Sequence, residues 1–352
     1  ILGDGLSGLS LAKALVNKGI YTDIFSDRIQ NTKDKSRTIG ISKSNVEFFN
    51  KNILNIEKLV WDIKKIEVFS SNLDNQKILS FDKDDQRLFS IVKNHDLISN
   101  LSIQLKKNKF FKFKKKINNY DFLNNYNLIF NCDSNNELTK KFFYKKFKKN
   151  YNSYAYTSII EHKKLSKNNT ATQIFTKGGP IAFLPISESQ TSIVYSLRGN
   201  KKSNVENLIR KFNTKYTIKK ITNIKSFELK SIDLRLYYYK NILAFGDLLH
   251  KIHPLAGQGF NMTIRDIKSL LKIIDYKLDN GLDLDSSVCS EFMSQNKHKN
   301  YLFSQGIDFI YEFFKIESKT NNQILGKTVQ YIAKNKFANK FFTEIANNGI
   351  VI

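Results

Sequence analysis

Apolar positions set out the elements of the chain in order. Behind Ile1-Leu2 and a glycine-bearing turn, Leu11, Ala12 and Leu15 recur at helical spacing up to Gly19, and the apolar run Ile20 to Phe25 follows. This predicts strand, turn, helix and a second parallel strand, since a 3.6-residue period marks one buried helix face and an unbroken apolar run marks a strand covered on both faces. A buried strand is about five residues long, so Ile1-Leu2 reads as the end of a longer one, and the first residues of the natural protein are expected to precede it. Ile181 to Phe183 and Ser192 to Tyr195 alternate as strands of an antiparallel sheet. Farther on, Asn241 to Phe245 forms a buried strand running into Gly246-Asp247. Ile267, Leu270, Leu271 and Ile274 then take i, i+3, i+4, i+7 spacing, predicting a helix that begins near Asn261.

Glycine and proline are scarce, with 15 and 3 among 352 residues, so their positions carry information. Eight of the glycines and all three prolines cluster in the blocks 3–8, 178–185 and 246–259. In the first, Gly3 permits a tight turn, Gly5 lets a pyrophosphate approach the backbone, and Gly8 lets the helix pack on the strand. An acid about 20 residues past the glycines should take the ribose hydroxyls; spacing points to Ser26, and Asp27 beside it is the candidate. In the third block the Gly257-Gln258-Gly259 loop leads into a helix N-terminus, which makes an anion site without side-chain charge. A flavin suits it, because two-electron reduction places negative charge on the N1/C2=O edge.

The net charge of +25 raises the question of nucleic acid. Lys, Asn and Ile are spread over the whole length, and only 106–116 and 140–149 are dense basic runs, so this charge reads as solvated surface that can also attract an anionic membrane. No apolar run reaches the roughly 18 residues of a membrane span. Cys132 and Cys289 stand far apart without ligand spacing, so neither a disulfide framework nor a metal site is encoded and a reducing compartment fits.

The glycine triplet, together with Gly246-Asp247, His250, His253-Pro254-Leu255-Ala256-Gly257-Gln258-Gly259-Phe260-Asn261, resembles the class A FAD-dependent aromatic hydroxylases, and among them the UbiH/UbiF/VisC ubiquinone-biosynthesis monooxygenases. Residues 34–42 and the stretch from Ala171 through Pro180 to Ile186 are similar to further segments of that group. Ser26, Ser134, Leu248, Leu249 and Thr263 depart from its pattern.

The resemblance implies an α/β protein with a doubly wound, Rossmann-like FAD domain (1–70, 91–165, 225–300), an inserted antiparallel substrate sheet (71–90, 166–224) and a helical C-terminal segment (301–352). It implies that Gly3, Gly5 and Gly8 hold the FAD pyrophosphate, that Arg37 reaches the FAD phosphates or the ribityl region, that Gly246-Asp247 takes a ribityl hydroxyl, and that Pro254, Gly257, Gln258, Gly259, Phe260 and Asn261 line the isoalloxazine. Pro180, Phe183 and Pro185 are the expected substrate contacts; His250 and His253 are the acid/base candidates, with core histidines that shape the loop as the alternative. The family's chemistry uses NAD(P)H or another donor, O2 and a flavin C4a-hydroperoxide to hydroxylate a polyprenylated phenol or quinol. It also implies a cytoplasmic enzyme, peripheral on the inner face of the membrane, with other ubiquinone-biosynthesis proteins as partners. Phe309, Ile310, Phe313, Phe314, Phe337, Phe341 and Phe342 are expected to pack on the core or face lipid. The competing readings are a non-catalytic FAD scaffold and a basic nucleic-acid or membrane-surface binder.

Overall fold

A computed structural model describes residues 1–26, 35–71, 76–82, 86–115, 125–199, 204–254 and 257–320. Helix α1 (Leu6–Asn17) buries Leu9, Leu11, Ala12, Leu15 and Val16. It stops where Lys18 and Gly19 donate back to Leu15 and Val16, with Gly19 at φ 77°. Strand β1 (Thr22–Ser26) follows, paired in parallel with β7 (Phe111–Lys115). Leu2 bridges in parallel to Phe25 on one side and to Asn131 on the other. It therefore sits between β1 and β8 (Ile129–Asn131), and β8 pairs in parallel with β16 (Ile242–Ala244). Helix α3 (Asn94–Lys106) packs on α1, as does α6 (Gln258–Asp279). Leu9, Ile24, Leu101, Phe245, Ile267 and Leu271 share the core between these elements.

The second large element is a nine-stranded sheet. Its central strands are β9 (Lys146–His162), β12 (Gln190–Arg198), β11 (Gly179–Pro185) and β10 (Thr170–Thr176), antiparallel in that order. β4 (Lys65–Ser70) and β5 (Gln76–Asp82) extend it at one edge, and β14 (Lys225–Leu234) with β17 (His250–Lys251) at the other, while β13 (Ile218–Ile221) pairs with the far end of β9. The sheet thus takes in 65–70, 146–162 and 225–234, beyond the sequence-expected bounds of 71–90 and 166–224. The turn signals that bound a strand in sequence do not say which sheet it joins.

One face of this sheet is covered by α5 (Val205–Phe212), over Ile181, Phe183, Ile193 and Tyr195. Against the sheet on another side lies α7 (Ser286–Thr320), whose Phe303, Ile307 and Phe314 pack with Val68, Ile78 and Phe175. This helix runs unbroken through residue 301, so the expected start of a separate C-terminal segment falls inside it. A small antiparallel sheet of β2 (Thr38–Ser42), β6 (Phe89–Lys93) and β3 (Val60–Ile63) lies beside α6. The hydroxyls of Thr38 and Ser192 bond at 2.7 Å and tie it to the large sheet.

Candidate functional site

A single cavity of about 1260 Å³ runs from the N-terminus of α1 to α7. Ligand pockets usually measure roughly 300–1,000 Å³, so this one has room for more than one molecule. At one end it is lined by Gly5, Ser7, Gly8, Arg37, Asp247 and Gly257 to Asn261, and at the other by Val68, Phe81, Phe175, Leu184, Ile307 and Phe314.

Close backbone approaches build the polar end. A Cβ on Gly8 would lie 2.3 Å from the Gly3 carbonyl oxygen, so only glycine lets α1 start directly against the turn. Gly246, at φ 64°, would place a Cβ 2.5 Å from Ser7, which brings the second glycine block onto the first and sets Asp247 on the cavity wall. Around Gly5 and Gly259 an added Cβ meets nothing within 4 Å. Both lie on open lumen.

Helix α6 begins at Gln258, three residues before the predicted start, with Gly257 in the left-handed conformation before it. Gly259 is thus the second helical residue rather than part of a loop. Asn261 is 1% exposed and clamps this helix end: its Nδ2 donates to Gly40 O at 2.9 Å, while its Oδ1 accepts from Ser42 N at 2.9 Å and from Asn45 Nδ2 at 2.8 Å.

The two histidines differ. His250 lines the cavity and donates Nε2–H to Asp266 at 2.5 Å, and Asn300 donates to the other oxygen of Asp266 at 3.0 Å. Burial opposes charge on His250, but Asp266, with Asp233 and Asp247 farther off, prevails and raises its pKa. His253 packs edge-on against Tyr151 and tilted on Tyr311. Burial, aided by Lys149, lowers its pKa to about 3, so it is a neutral core residue and not an acid or base. Cys132, also on the cavity wall, has its thiol pushed up to about 12 by burial and is protonated.

No protein-family model matches the chain. It is 21% identical over 273 residues to the mitochondrial ubiquinone biosynthesis monooxygenase COQ6 of Schizosaccharomyces pombe, covering 63% of this chain and 57% of that protein. It is 26% identical over 180 residues to the human protein of the same name (39% of this chain, 38% of that protein) and 27% identical over 152 residues to 3-demethoxyubiquinol 3-hydroxylase of Escherichia coli (40% and 39%). The chain therefore spans between about two fifths and three fifths of the length of these relatives. Among solved structures, p-nitrophenol 4-monooxygenase PnpA of Pseudomonas putida superposes with TM-score 0.79 at 11% identity over 99% of this chain and 98% of its own. HpxO of Klebsiella pneumoniae, solved with FAD and uric acid, superposes with TM-score 0.75 at 13% identity over 99% and 96%. The chain is thus similar in sequence to COQ6 and to 3-demethoxyubiquinol 3-hydroxylase, and it shares its fold with monooxygenases of known structure.

Within this fold the sequence-expected residues separate clearly. Gly5, Gly8, Arg37, Asp247, Pro254 and Gly257 to Asn261 meet at the polar end. Gly3 and Gly246 stand behind that wall and shape it. Asp27 lies outside the described residues, as do Asp34, Leu255, Ala256, Phe337, Phe341 and Phe342. Of the substrate candidates, Pro180 lines the cavity with Ala182 and Leu184. Phe183 and Pro185 do not: side chains alternate along β11, and Phe183 packs beneath α5 on the opposite face. Sequence reasoning missed Lys43, on the cavity wall at the start of α2 (Lys43–Asn52). It also missed Asp266 and Asn300. The signal for Asp266 was present, because a carboxylate on the buried stripe of α6 needs a partner.

Proposed function

We propose that the chain is an FAD-dependent monooxygenase that hydroxylates the aromatic ring of a polyprenylated phenol or quinol precursor in ubiquinone biosynthesis. What carries the reading is the continuity of the cavity, which joins a glycine-walled polar end to a long apolar end in one volume. An isoprenoid-substituted ring needs both, and a small phenol needs only one.

The residues at the polar end suit the cofactor. Gly5 and Gly259 leave open space where Cβ atoms would intrude, the buried Oε1 of Gln258 finds no partner among the described residues, and the N-terminus of α6 is aimed at the same space. Gly5, Gly8 and Arg37 would hold the diphosphate, Asp247 a ribityl hydroxyl, and Pro254 with Gly257 to Phe260 the edge of the ring system. Asn261 acts one step back, fixing the helix end against β2. Bound FAD, reduced by NAD(P)H or another donor, supplies the activation of O2. The protein's own part is to orient the ring through β10 and β11 and to exclude water with the apolar faces of α7, β4 and β5. The division of labour proposed is therefore the parallel sheet with α1, α3 and α6 for cofactor, and the large sheet with α7 for substrate.

No helix among the described residues is long and apolar enough to cross a membrane. Peripheral attachment at the inner face of the cytoplasmic membrane, alongside other enzymes of the same synthesis, is the proposed setting, because a polyprenylated substrate resides in lipid and the chain carries a charge of +25. Purified protein should turn yellow with FAD, and a strain lacking the gene should accumulate a precursor short of one ring hydroxyl. Absence of FAD uptake at high micromolar concentration overturns the reading.

A further inference from the structure

Helix α7 carries two stripes. Phe303, Ile307, Ile310 and Phe314 face the apolar end of the cavity. Asn300, Ser304 and Asp308, spaced i, i+4, i+8, reach polar partners: Asn300 donates to Asp266, the Ser304 hydroxyl donates to Asp233 at 2.9 Å, and Asp308 accepts from the Tyr151 hydroxyl. One of these three anchors reaches His250 directly and a second ends beside it. Asp266 accepts its Nε2–H, and Asp233 is its cross-strand neighbour in the pairing of β14 with β17. His250 is 3% exposed and stands on the cavity wall with Asp247.

We infer that Asp266 and Asn300 are positioning residues that tie His250, at the cofactor end of the cavity, to α7, at its apolar end, so that filling the apolar end shifts the cofactor end. Phe303 lies between the anchors Asn300 and Ser304 on the same turn. A ligand that presses on Phe303 or Ile307 moves both anchors with it. Buried polar networks have few intermediate arrangements, since a half-made bond leaves a desolvated carboxylate unpaired. A displacement of α7 is thus passed to the Asp266–His250 pair rather than absorbed. Asp266 lies two turns into α6, the helix whose first residues form the polar wall, so the same displacement reaches that wall through a rigid element.

The test uses the full chain reconstituted with FAD and a geranyl-substituted phenol as probe. In the wild-type protein the probe should perturb the flavin absorption spectrum. Asn300→Ala should bind the probe within about threefold of wild type but lose at least about four fifths of the spectral change per bound flavin, and divert more of the consumed O2 to hydrogen peroxide. Asn300→Gln, which keeps the amide donor, should recover part of the signal. A purely structural role would lower the melting temperature without altering the spectral change per bound flavin, and that result overturns the inference. If Asn300→Ala does not fold, Ser304→Ala cuts the parallel link and is read the same way. The inference rests on the proposed flavin site for the optical signal alone. In apoprotein labelled with 15N-histidine, the probe should shift the His250 imidazole resonances in wild type and leave them unmoved in Asn300→Ala, so a protein that takes up no FAD sinks the flavin reading while this measurement still decides the coupling. Failure of the probe to bind, or equal shifts in both proteins, overturns it.

Discussion

Replacing Gly259 by alanine separates the fold's demands from the ligand's. Gly259 lies in the first turn of α6, lines the cavity, and has no heavy atom within 4 Å of an added Cβ. In the free protein the methyl group meets nothing, and alanine is the better helix former by up to about 1 kcal/mol, less in a first turn. A rise in melting temperature of about 1–2 °C is expected for the apoprotein. With cofactor bound, the same methyl group occupies space the ligand needs. Overpacking costs about 1–3 kcal/mol, or about 5- to 150-fold in FAD affinity at 1.4 kcal/mol per decade. Fluorescence titration with FAD, beside a thermal melt of the apoprotein, measures both effects. An unchanged Kd together with an unchanged or raised melt would show that Gly259 does not face the cofactor. A lowered melt would show instead that the space around it is filled.

Three further outcomes follow from the geometry. Gly246→Ala should destabilise the protein by about 1–3 kcal/mol, since it combines a left-handed backbone with a 2.5 Å contact to Ser7; a thermal melt equal to wild type would refute this. Asp247→Ala should leave the melt of the apoprotein in place and lower FAD affinity by about one to two decades, the worth of a hydrogen bond to a charged acceptor, as read by the same titration. His253 is held near pKa 3 against an ordinary 6.5, so the unfolded chain binds its proton more readily and this residue's contribution to stability, complete above pH 6.5, is lost as pH falls toward 3. The slope is at most about 1.4 kcal/mol per pH unit, and His253→Phe should flatten that part of a denaturation-against-pH profile. The raised pKa of His250 has the opposite sign and is felt as pH rises, so it does not cancel this effect.

Much of this architecture was written locally. The contact of Gly8 with the Gly3 carbonyl, the left-handed backbone at Gly246 and the helix after Gly257 are short-range constraints, and short-range constraints leave a spacing signature in sequence. So does the buried stripe of α6. Tertiary structure decided the rest. Whether residues 146–162 and 225–234 join the parallel sheet or the large one depends on partners far along the chain, and a strand's own pattern does not name its partner. The motif around Pro180 sets Phe183 on the substrate side, yet which face of β11 turns to the cavity is fixed by α5 claiming the other. The fate of the histidines was equally invisible. His250 acquires its role from Asp266 and Asn300, 16 and 50 positions away, while His253, three residues on, is stripped of charge by burial against Tyr151 and Tyr311, with Lys149 adding to the effect. A buried ionisable group takes its properties from whatever the fold packs around it, and only the folded chain contains that information.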